Sequence, residues 1–370
     1  MGAACSCFKE TQLDSEQLTI KKETSNSRLK QEQGAFVIEI PAYFFKPAEI
    51  NNSHLLILQS VLRGYLDRRA VKEKIKANST QVRLNSGYTM QPRNSVMEIH
   101  GELPNYSNTI TEAIYKKLEP FQYDAEFTDN TPRVKKGPVL LDNGAIYIGE
   151  WSDKWERHGK GVQVWPDGSK YEGYWLHDRA NGKGRLMHGD GDVYEGDWVD
   201  DKAHGYGVYK HTDGATYNGQ WKDDKQHGFG LEIWPDGARY EGQYTYGRKD
   251  GKGKFHWSDG SKYYGEFKDN NIDGEGIYSW MDGRRYEGTW KNNKMDGFGT
   301  FTWADGRCYK GEYVDDKKQG RGYFSWPDGR KYEGSWYNGK QHGHGVYSTA
   351  KGERKEGEWQ EGKRLKWVEN

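Results

Sequence analysis

Tyr171-Glu-Gly173-Tyr-Trp175 carries the pattern that decides the fold: a tyrosine, a glycine two residues on, and an aromatic two further. It returns as Tyr194-Glu-Gly196-Asp-Trp198, Tyr217-Asn-Gly219-Gln-Trp221 and Tyr286-Glu-Gly288-Thr-Trp290. The full register is Tyr147, Tyr171, Tyr194, Tyr217, Tyr240, Tyr263, Tyr286, Tyr309 and Tyr332, spaced 24 residues once and 23 thereafter. After each comes a polar loop and a Gly-x-Gly, from Gly159/Gly161 to Gly343/Gly345. A further Gly stands three residues before each Tyr, usually after Asp, as in Asp167-Gly168 and Asp236-Gly237. So regular a period implies a repeat architecture.

Residues two apart share one face of a strand, so Tyr171, Gly173 and Trp175 face the same way. The Gly leaves a slot without a Cβ, which a ring or a neighbouring backbone can fill. Gly-x-Gly leads into alternation such as Val162-Gln-Val164, a second strand, and Trp165-Pro-Asp-Gly168 is turn chemistry. Each unit therefore reads as a β-hairpin. One hairpin is marginal in water, so the units must stack. The expectation is a mostly β chain: an elongated single-layer array of antiparallel hairpins, about 90–100 Å long for ten units at about 4.8 Å per strand.

The composition agrees. Hydrophobic content is 34% and mean hydropathy −1.10, low for an aliphatic core, yet the 370 residues include 48 Gly, 15 Trp and 26 Tyr. All the Trp lie between Trp151 and Trp367, and all but six Gly lie from Pro138 onward. Rings and glycines thus replace aliphatic packing there. Lys+Arg and Asp+Glu are both 55, so no global field favours nucleic acid or anionic lipid. Three Cys make no disulfide framework and suggest a reducing compartment. No apolar run is long enough to span a membrane as a helix, and no secretory signal opens the chain. The divisions expected are an extended tail over 1–50, a helix over 51–78, a linker with a short helix over 79–121, and the array over 122–370. Thr80–Leu103 reads as linker, and Tyr123 with Phe127 as a decayed repeat serving as a cap.

These units, with the Gly-x-Gly after each, resemble MORN repeats over about 138–362. The resemblance implies a curved hairpin array without enzymatic activity of its own. Such arrays occur in junctophilins, flagellar radial-spoke heads, cortical scaffolds and plant phosphoinositide kinases. Aromatics replace the Trp at Tyr244, Phe267 and Tyr313, and Lys355 replaces the Tyr of a tenth unit, which leaves that unit in doubt.

Chemistry inside the array is not expected. His158, His204, His227 and His342 share one slot with Asn181, Asp250, Asp273, Asp296 and Gln319, which fits a polar loop cap better than a metal ligand set. The pairs Asp200-Asp201, Asp223-Asp224 and Asp315-Asp316 recur at one loop position, as turn acids would. Glu172, Glu195, Glu241, Glu287 and Glu333 make an acidic stripe opposite the rings, either solvated surface or a partner face. Repeat-bearing enzymes append a catalytic domain, and only Gly362–Asn370 follows the array here. No P-loop, kinase loop or metal cluster precedes it. No enzyme activity, cofactor or metal is expected.

Two features precede the array. Met1-Gly2-Ala3-Ala4-Cys5-Ser6-Cys7 fits the acceptor pattern for myristoylation on Gly2, with Cys5 and Cys7 placed for palmitoylation. One myristoyl chain binds marginally and a second acyl chain makes the anchor stable. Leu58-Gln59-Ser-Val-Leu62-Arg63-Gly64-Tyr-Leu-Asp-Arg68-Arg-Ala-Val71 resembles an IQ motif, with the six marked positions (Leu58, Gln59, Arg63, Gly64, Arg68, Val71) matched. The resemblance implies calmodulin or a related EF-hand partner: apolar side chains, Leu58 and Leu62 among them, enter its groove, while Arg63 and Arg68 meet acidic residues. A short helix over about Asn108–Leu118, with Ile110, Ala113, Ile114 and Leu118 on one face, is expected to cover the edge of the first hairpin. Leu365, Trp367 and Val368 would cap the last hairpin or pair two molecules as a homodimer.

The functional expectation is a membrane-tethered scaffold on the cytoplasmic face of a plasma or ciliary membrane. It would bind calmodulin or a like protein at its helix and cytoskeletal or ciliary proteins along the array, and no nucleic acid. Alternatives are a structural part of an axoneme or cell cortex and, third, a regulatory chain for a phosphoinositide kinase.

Overall fold

The computed structural model describes residues 97–99, 101–123 and 129–368. Within the unit Arg93–Asn370 the architecture is one 22-stranded antiparallel sheet. Each strand pairs with its neighbour in sequence, so the sheet is a meander without crossovers. The strands are β1 (Met97–Glu98), β2 (Arg133–Leu140), β3 (Ile146–Ser152), β4 (Arg157–Val164), β5 (Lys170–Leu176), β6 (Arg179–Met187) and so on to β21 (Arg354–Gln360) and β22 (Lys363–Trp367). The hairpin array expected from the tyrosine period is the fold.

Two kinds of turn join the strands. On one side two residues with positive φ make the turn, as at Asp200 (φ 49) and Asp201 (φ 66). That geometry matches the strand twist and favours Asp and Asn. On the other, the Trp-x-Asp-Gly loop closes with Trp165 N–H donating to Ser169 O at 2.9 Å and Gly168 N–H to Trp165 O at 3.0 Å. Gly168 sits at φ 88, a conformation that L side chains rarely adopt.

The core is a spine rather than a globule. One glycine per strand, from Gly149 on β3 through Gly161, Gly173, Gly184 and onward to Gly357 on β21, stands directly opposite the next. Over each hairpin's pair, from Gly149/Gly161 to Gly334/Gly345, lies a buried tyrosine ring: a Cβ on Gly173 would come within 2.5 Å of Tyr171 Oη and 2.6 Å of Gly184 Cα. The tyrosine hydroxyl then donates to the carbonyl three residues on, Tyr171 to Tyr174 O and Tyr286 to Thr289 O, both at 3.0 Å. The aromatic at the fifth position stands edge-on to its own tyrosine and to that of the repeat before: Trp175 is 5.0 Å from Tyr171 and 5.4 Å from Tyr147. Edge-to-face ring pairs contribute about 0.5–1.5 kcal/mol beyond the area they bury, and here they run without interruption from repeat to repeat.

A second ring ladder lies beside the first on the same face. Trp234, Phe255, Trp257, Tyr278, Trp280 and Phe301 follow one another at centroid distances of 4.4–5.4 Å. The Trp of the turn motif thus has a packing role besides closing the loop. Lys318 Nζ sits 5.0–5.5 Å from Trp303, Tyr309, Phe324 and Trp336, a cation over rings.

Three expectations are corrected. Met97–Glu98 is not linker but the short strand β1, paired with β2. Tyr123 is not a repeat tyrosine: its ring packs on Tyr174, on the opposite face to the spine, 5.6 Å between centroids. Phe127 lies outside the described residues. The short helix forms as α1 (Thr109–Tyr115), with Asn108 Oδ1 accepting from the N–H groups of Ile110 and Thr111. It does not cover an edge, however; β1 and β2 do that, and α1 leads onto a face of the sheet. Ile110 and Ala113 are exposed, whereas Ile114 and Leu118 are half-buried and Thr111, which completes the cap, is buried. The tenth unit exists despite Lys355: Trp359 stands 4.9 Å from Tyr332.

Candidate interaction surface

Strand alternation divides the array into an inner face, which holds the rings and glycines, and an outer face. The inner face is closed by its own packing. Tyr171, Tyr194, Tyr217 and Tyr286 are buried, Gly173, Gly196, Gly219 and Gly288 lie under their rings, and Trp175, Trp198, Trp221 and Trp290 fill the gaps between repeats. Each of these tryptophans donates Nε1–H to a glycine carbonyl of the preceding unit, at 3.2, 3.1, 3.0 and 3.4 Å. Trp151, in the first unit, has no acceptor for its Nε1–H among the described residues. Where Tyr244 replaces Trp, its hydroxyl donates to Glu232 Oε2 at 2.8 Å, and Lys249 Nζ meets the same oxygen at 2.9 Å. Burial raises the phenol pKa of Tyr171, Tyr194, Tyr217 and Tyr286 above the ordinary value. These groups are structural and offer a ligand nothing.

The loop residues are structural too. The second residue of each paired-acid turn reaches back to the start of the preceding return strand. Asp201 Oδ1 accepts from Ala180 N–H at 2.7 Å and Asp224 Oδ1 from Ala203 N–H at 2.8 Å. Their own N–H groups donate to the same residues' carbonyls, both at 3.0 Å. That pair of hydrogen bonds, on a positive-φ backbone, is why Asp or Asn stands there. The slot before Gly-x-Gly does similar work: Asp273 Oδ2 accepts from Asn292 N–H at 3.0 Å and Gln319 Oε1 from Asn338 N–H at 3.1 Å. His227 Nδ1 accepts from Tyr246 N–H at 3.4 Å. His158 is fully buried and pairs with Asp129 through Nε2. Among the described residues no three His, Cys, Asp or Glu are grouped to hold a metal ion.

The outer face is where the chain presents variable chemistry, and over the first repeats it is already occupied. Residues 106–123 of the chain lie across it. Tyr106 Oη donates to Gly144 O at 2.9 Å and Asn108 Nδ2 to Gly189 O at 3.0 Å, clipping the segment to the turns. The Tyr115 ring covers Lys170 Nζ at 3.9 Å, and Arg185 donates to Glu119 O at 2.7 Å beneath Phe121. Tyr123 covers Tyr174 and Lys160. The Glu172 side chain is consequently only 12% exposed, while Glu241, at the same position three repeats on, is 46% exposed.

The acidic stripe is therefore not uniform solvated surface. Cations interleave it: Arg185 meets Glu195 at 2.8 Å, and Arg285 meets Glu287 at 2.8 Å. Sequence reading missed the segment's docking, because alternation shows which residues face outward and not what lies over them. The apolar Ile114 and Leu118, and the aromatic Tyr115, Phe121 and Tyr123, were the available signal.

Gly2, Cys5 and Cys7, and the helix residues Leu58, Gln59, Leu62, Arg63, Gly64, Arg68 and Val71, lie outside the described residues. No helix among the described residues is long and apolar enough to cross a membrane.

With this geometry in hand, comparison with known proteins places the repeat. The MORN repeat pattern matches nine consecutive segments, 147–170, 171–193, 194–216, 217–239, 240–262, 263–284, 286–306, 309–329 and 332–354, more than half of the chain. No curated protein matches the sequence. Among solved structures, the wild-type TCP10 domain of Danio rerio CPAP is 13% identical, with 63% of this chain and 99% of that one covered, at a TM-score of 0.29. The SAS-4 TCP domain of Drosophila melanogaster, in complex with a proline-rich motif of Ana2, is 11% identical, covering 53% and 99%, at 0.27. TM-scores this low support no conclusion about fold or function.

Proposed function

The chain belongs to the MORN repeat family, and from that premise we propose that it is a non-enzymatic scaffold, held at a membrane by N-terminal acyl chains. It takes calmodulin or a related EF-hand protein on the helix over 51–78 and other proteins on the array. The observation that carries the scaffold reading is the division of labour between the faces. Rings, glycines and turn acids are all consumed in holding the sheet, whereas the outer face varies from repeat to repeat and already holds one peptide segment, 106–123.

The acceptor pattern at Gly2 and Ser6, with Cys5 and Cys7 beside it, supports the anchor. Two acyl chains hold a protein at a bilayer where one does not, and no basic cluster near Gly2 supplies the second signal instead. The six matched positions from Leu58 to Val71 support the EF-hand partner. The resulting location is the cytoplasmic face of a plasma or ciliary membrane.

One experiment with two arms tests both ends. The full chain is imaged in cells as wild type and as Gly2→Ala, and its capture by immobilised calmodulin is compared with that of a Leu58→Ala/Gln59→Ala/Arg63→Ala variant. Gly2→Ala should move to the cytosol and still bind calmodulin; the triple variant should stay on the membrane and lose calmodulin. A Gly2→Ala chain that keeps its place on an axonemal or cortical assembly would replace the anchor with that structural role. Undiminished capture of the triple variant would remove the EF-hand partner.

A further inference from the structure

Beyond the docked segment the outer face is open. Between Phe121 and the next repeats stand two largely uncovered rings, Tyr206 (55% exposed) and Phe229 (48%). A groove crosses the facing strands β10 (Lys225–Ile233), β11 (Arg239–Thr245), β12 (Arg248–His256) and β13 (Lys262–Lys268). Leu231 and Ile233 line it on β10, Arg239, Glu241, Lys254 and His256 across the middle strands, and Tyr264 on β13.

The polar groups of this groove are ordered. Arg239 Nη2 lies 3.2 Å from His256 Nδ1, and Tyr264 Oη lies 3.0 Å from His256 Nε2. A guanidinium can only donate, so Nδ1 accepts and the imidazole proton is on Nε2, donating to Tyr264 Oη. Burial, then Arg239, Lys262 and Lys254, lowers the imidazole pKa, with Glu241 opposing. Arg239 is thereby held in the groove that Lys254 also lines, while keeping its remaining N–H groups for another acceptor. Facing Arg239, Lys254 and Lys262 there is one carboxylate in the groove, Glu241, 3.8 Å from Lys254 and half exposed. An exposed pair at that distance holds its partner weakly.

We propose that this groove docks a short amphipathic segment of another protein, its carboxylates on Arg239 and Lys254 and its apolar side chains on Leu231, Ile233 and the Phe229 ring. Two observations argue for that occupant. The same face, a few strands earlier, already holds a segment of this chain on its cations, with Tyr115 over Lys170, Phe121 over Arg185 and the Glu119 carbonyl accepting from Arg185. The apolar strip on β10 beside a net positive middle on β11 and β12 is complementary to an acidic amphipathic peptide and repels a basic one. The proposal rests on the array being an interaction surface. A chain that attaches to membrane and calmodulin as proposed above, but fails here, loses this groove alone.

The probe is a synthetic amphipathic Leu/Glu peptide, with a Leu/Lys peptide of equal length and polyglutamate as controls, added to the full chain. Hydrogen exchange should slow on β10 to β13 with Leu/Glu alone. The Arg239→Glu/Lys254→Glu variant should bind it at least about tenfold more weakly, and Arg239→Gln/Lys254→Gln should fall between. Lys331→Glu/Arg354→Glu, farther along the same face, should bind as wild type. Equal binding of the Leu/Lys peptide, or undiminished binding by the Arg239→Glu/Lys254→Glu variant, would overturn the proposal. So would polyglutamate matching Leu/Glu, which would make the groove a polyanion site. Self-association that buries the groove and excludes the peptide would assign it to a second copy of the chain instead.

Discussion

Replacing Gly242 with alanine tests the spine directly. A Cβ there would lie 2.5 Å from Tyr240 Oη and 2.6 Å from Gly253 Cα, both closer than real Cβ contacts come. The ring cannot simply tilt away. Its hydroxyl donates to Gln243 O at 3.0 Å, and its edges meet Tyr244 at 5.2 Å and Phe267 at 5.1 Å. If the ring leaves, it gives up a hydrogen bond contributing about 1 kcal/mol and burial contributing about 2 kcal/mol. If the strands part instead, overpacking costs about 1–3 kcal/mol. The loss therefore falls between about 1 and 3 kcal/mol, at the upper end if the ring leaves. Gly237→Ala is the control. Gly237 has φ 85 and nothing within 4 Å of its Cβ position, so only left-handed strain applies, about 1 kcal/mol.

Urea unfolding followed with native-state hydrogen exchange separates the two. In a stack where each repeat touches only its neighbours, the Gly242→Ala loss should concentrate on β11 and β12 and spare the ends. The double variant Tyr240→Phe/Gly242→Ala removes the nearest oxygen but leaves Gly253 Cα, so recovery should be partial. Equal costs for Gly242→Ala and Gly237→Ala, or a loss spread evenly along the array, would refute the spine.

Two further outcomes follow from the same packing. Burial raises the phenol pKa of Tyr194, Tyr217, Tyr240, Tyr263, Tyr286 and Tyr309 above the unfolded value of about 10. Because the folded state holds those protons more tightly, stability is intact below that pH and falls as pH rises past it; phenolate absorbance and β circular dichroism should change together, and ionisation of all six with the sheet intact would contradict the assignment. Asp224→Ala should lower stability by about 2 kcal/mol, from the lost bond to Ala203 N–H and the positive φ, while Asp224→Asn should change it little; equal melting temperatures for the two would remove the turn-cap role.

The repeat was legible because its determinants are local. Tyr-x-Gly-x-Trp places three residues on one strand face whatever surrounds them, and Asp-Asp and Asp-Gly fix their turns within a few residues. What escaped the sequence depends on neighbours two or more strands away. The second ladder needs Trp257 beside Tyr278, from different hairpins. The role of Asp224 needs Ala203, in the preceding repeat. The docking of 106–123 needs Lys170 and Arg185, many residues downstream. Tyr123 of that segment suggested a degraded repeat because pattern alone cannot say which face a ring meets.

Balanced global charge is likewise silent about any one stretch of the array. Equal totals of cations and carboxylates exclude a field over the whole molecule, but a stacked array has no single surface on which those charges average. Each outer-face position is set independently of the spine beneath it. Along the Gly-x-Gly row the middle residue changes from Lys183 to Tyr206, Phe229, Lys252 and Glu275, while the flanking glycines stay fixed. At an ionic screening length of about 8 Å, charges two hairpins apart, about 19 Å by strand spacing, scarcely feel one another. The groove at Arg239 and Lys254 can therefore be cationic while the stretch at Glu333 and Glu356 is not. An array built this way can carry several separate docking sites on one face, because the rings and glycines that hold it together ask nothing of the residues that meet a partner.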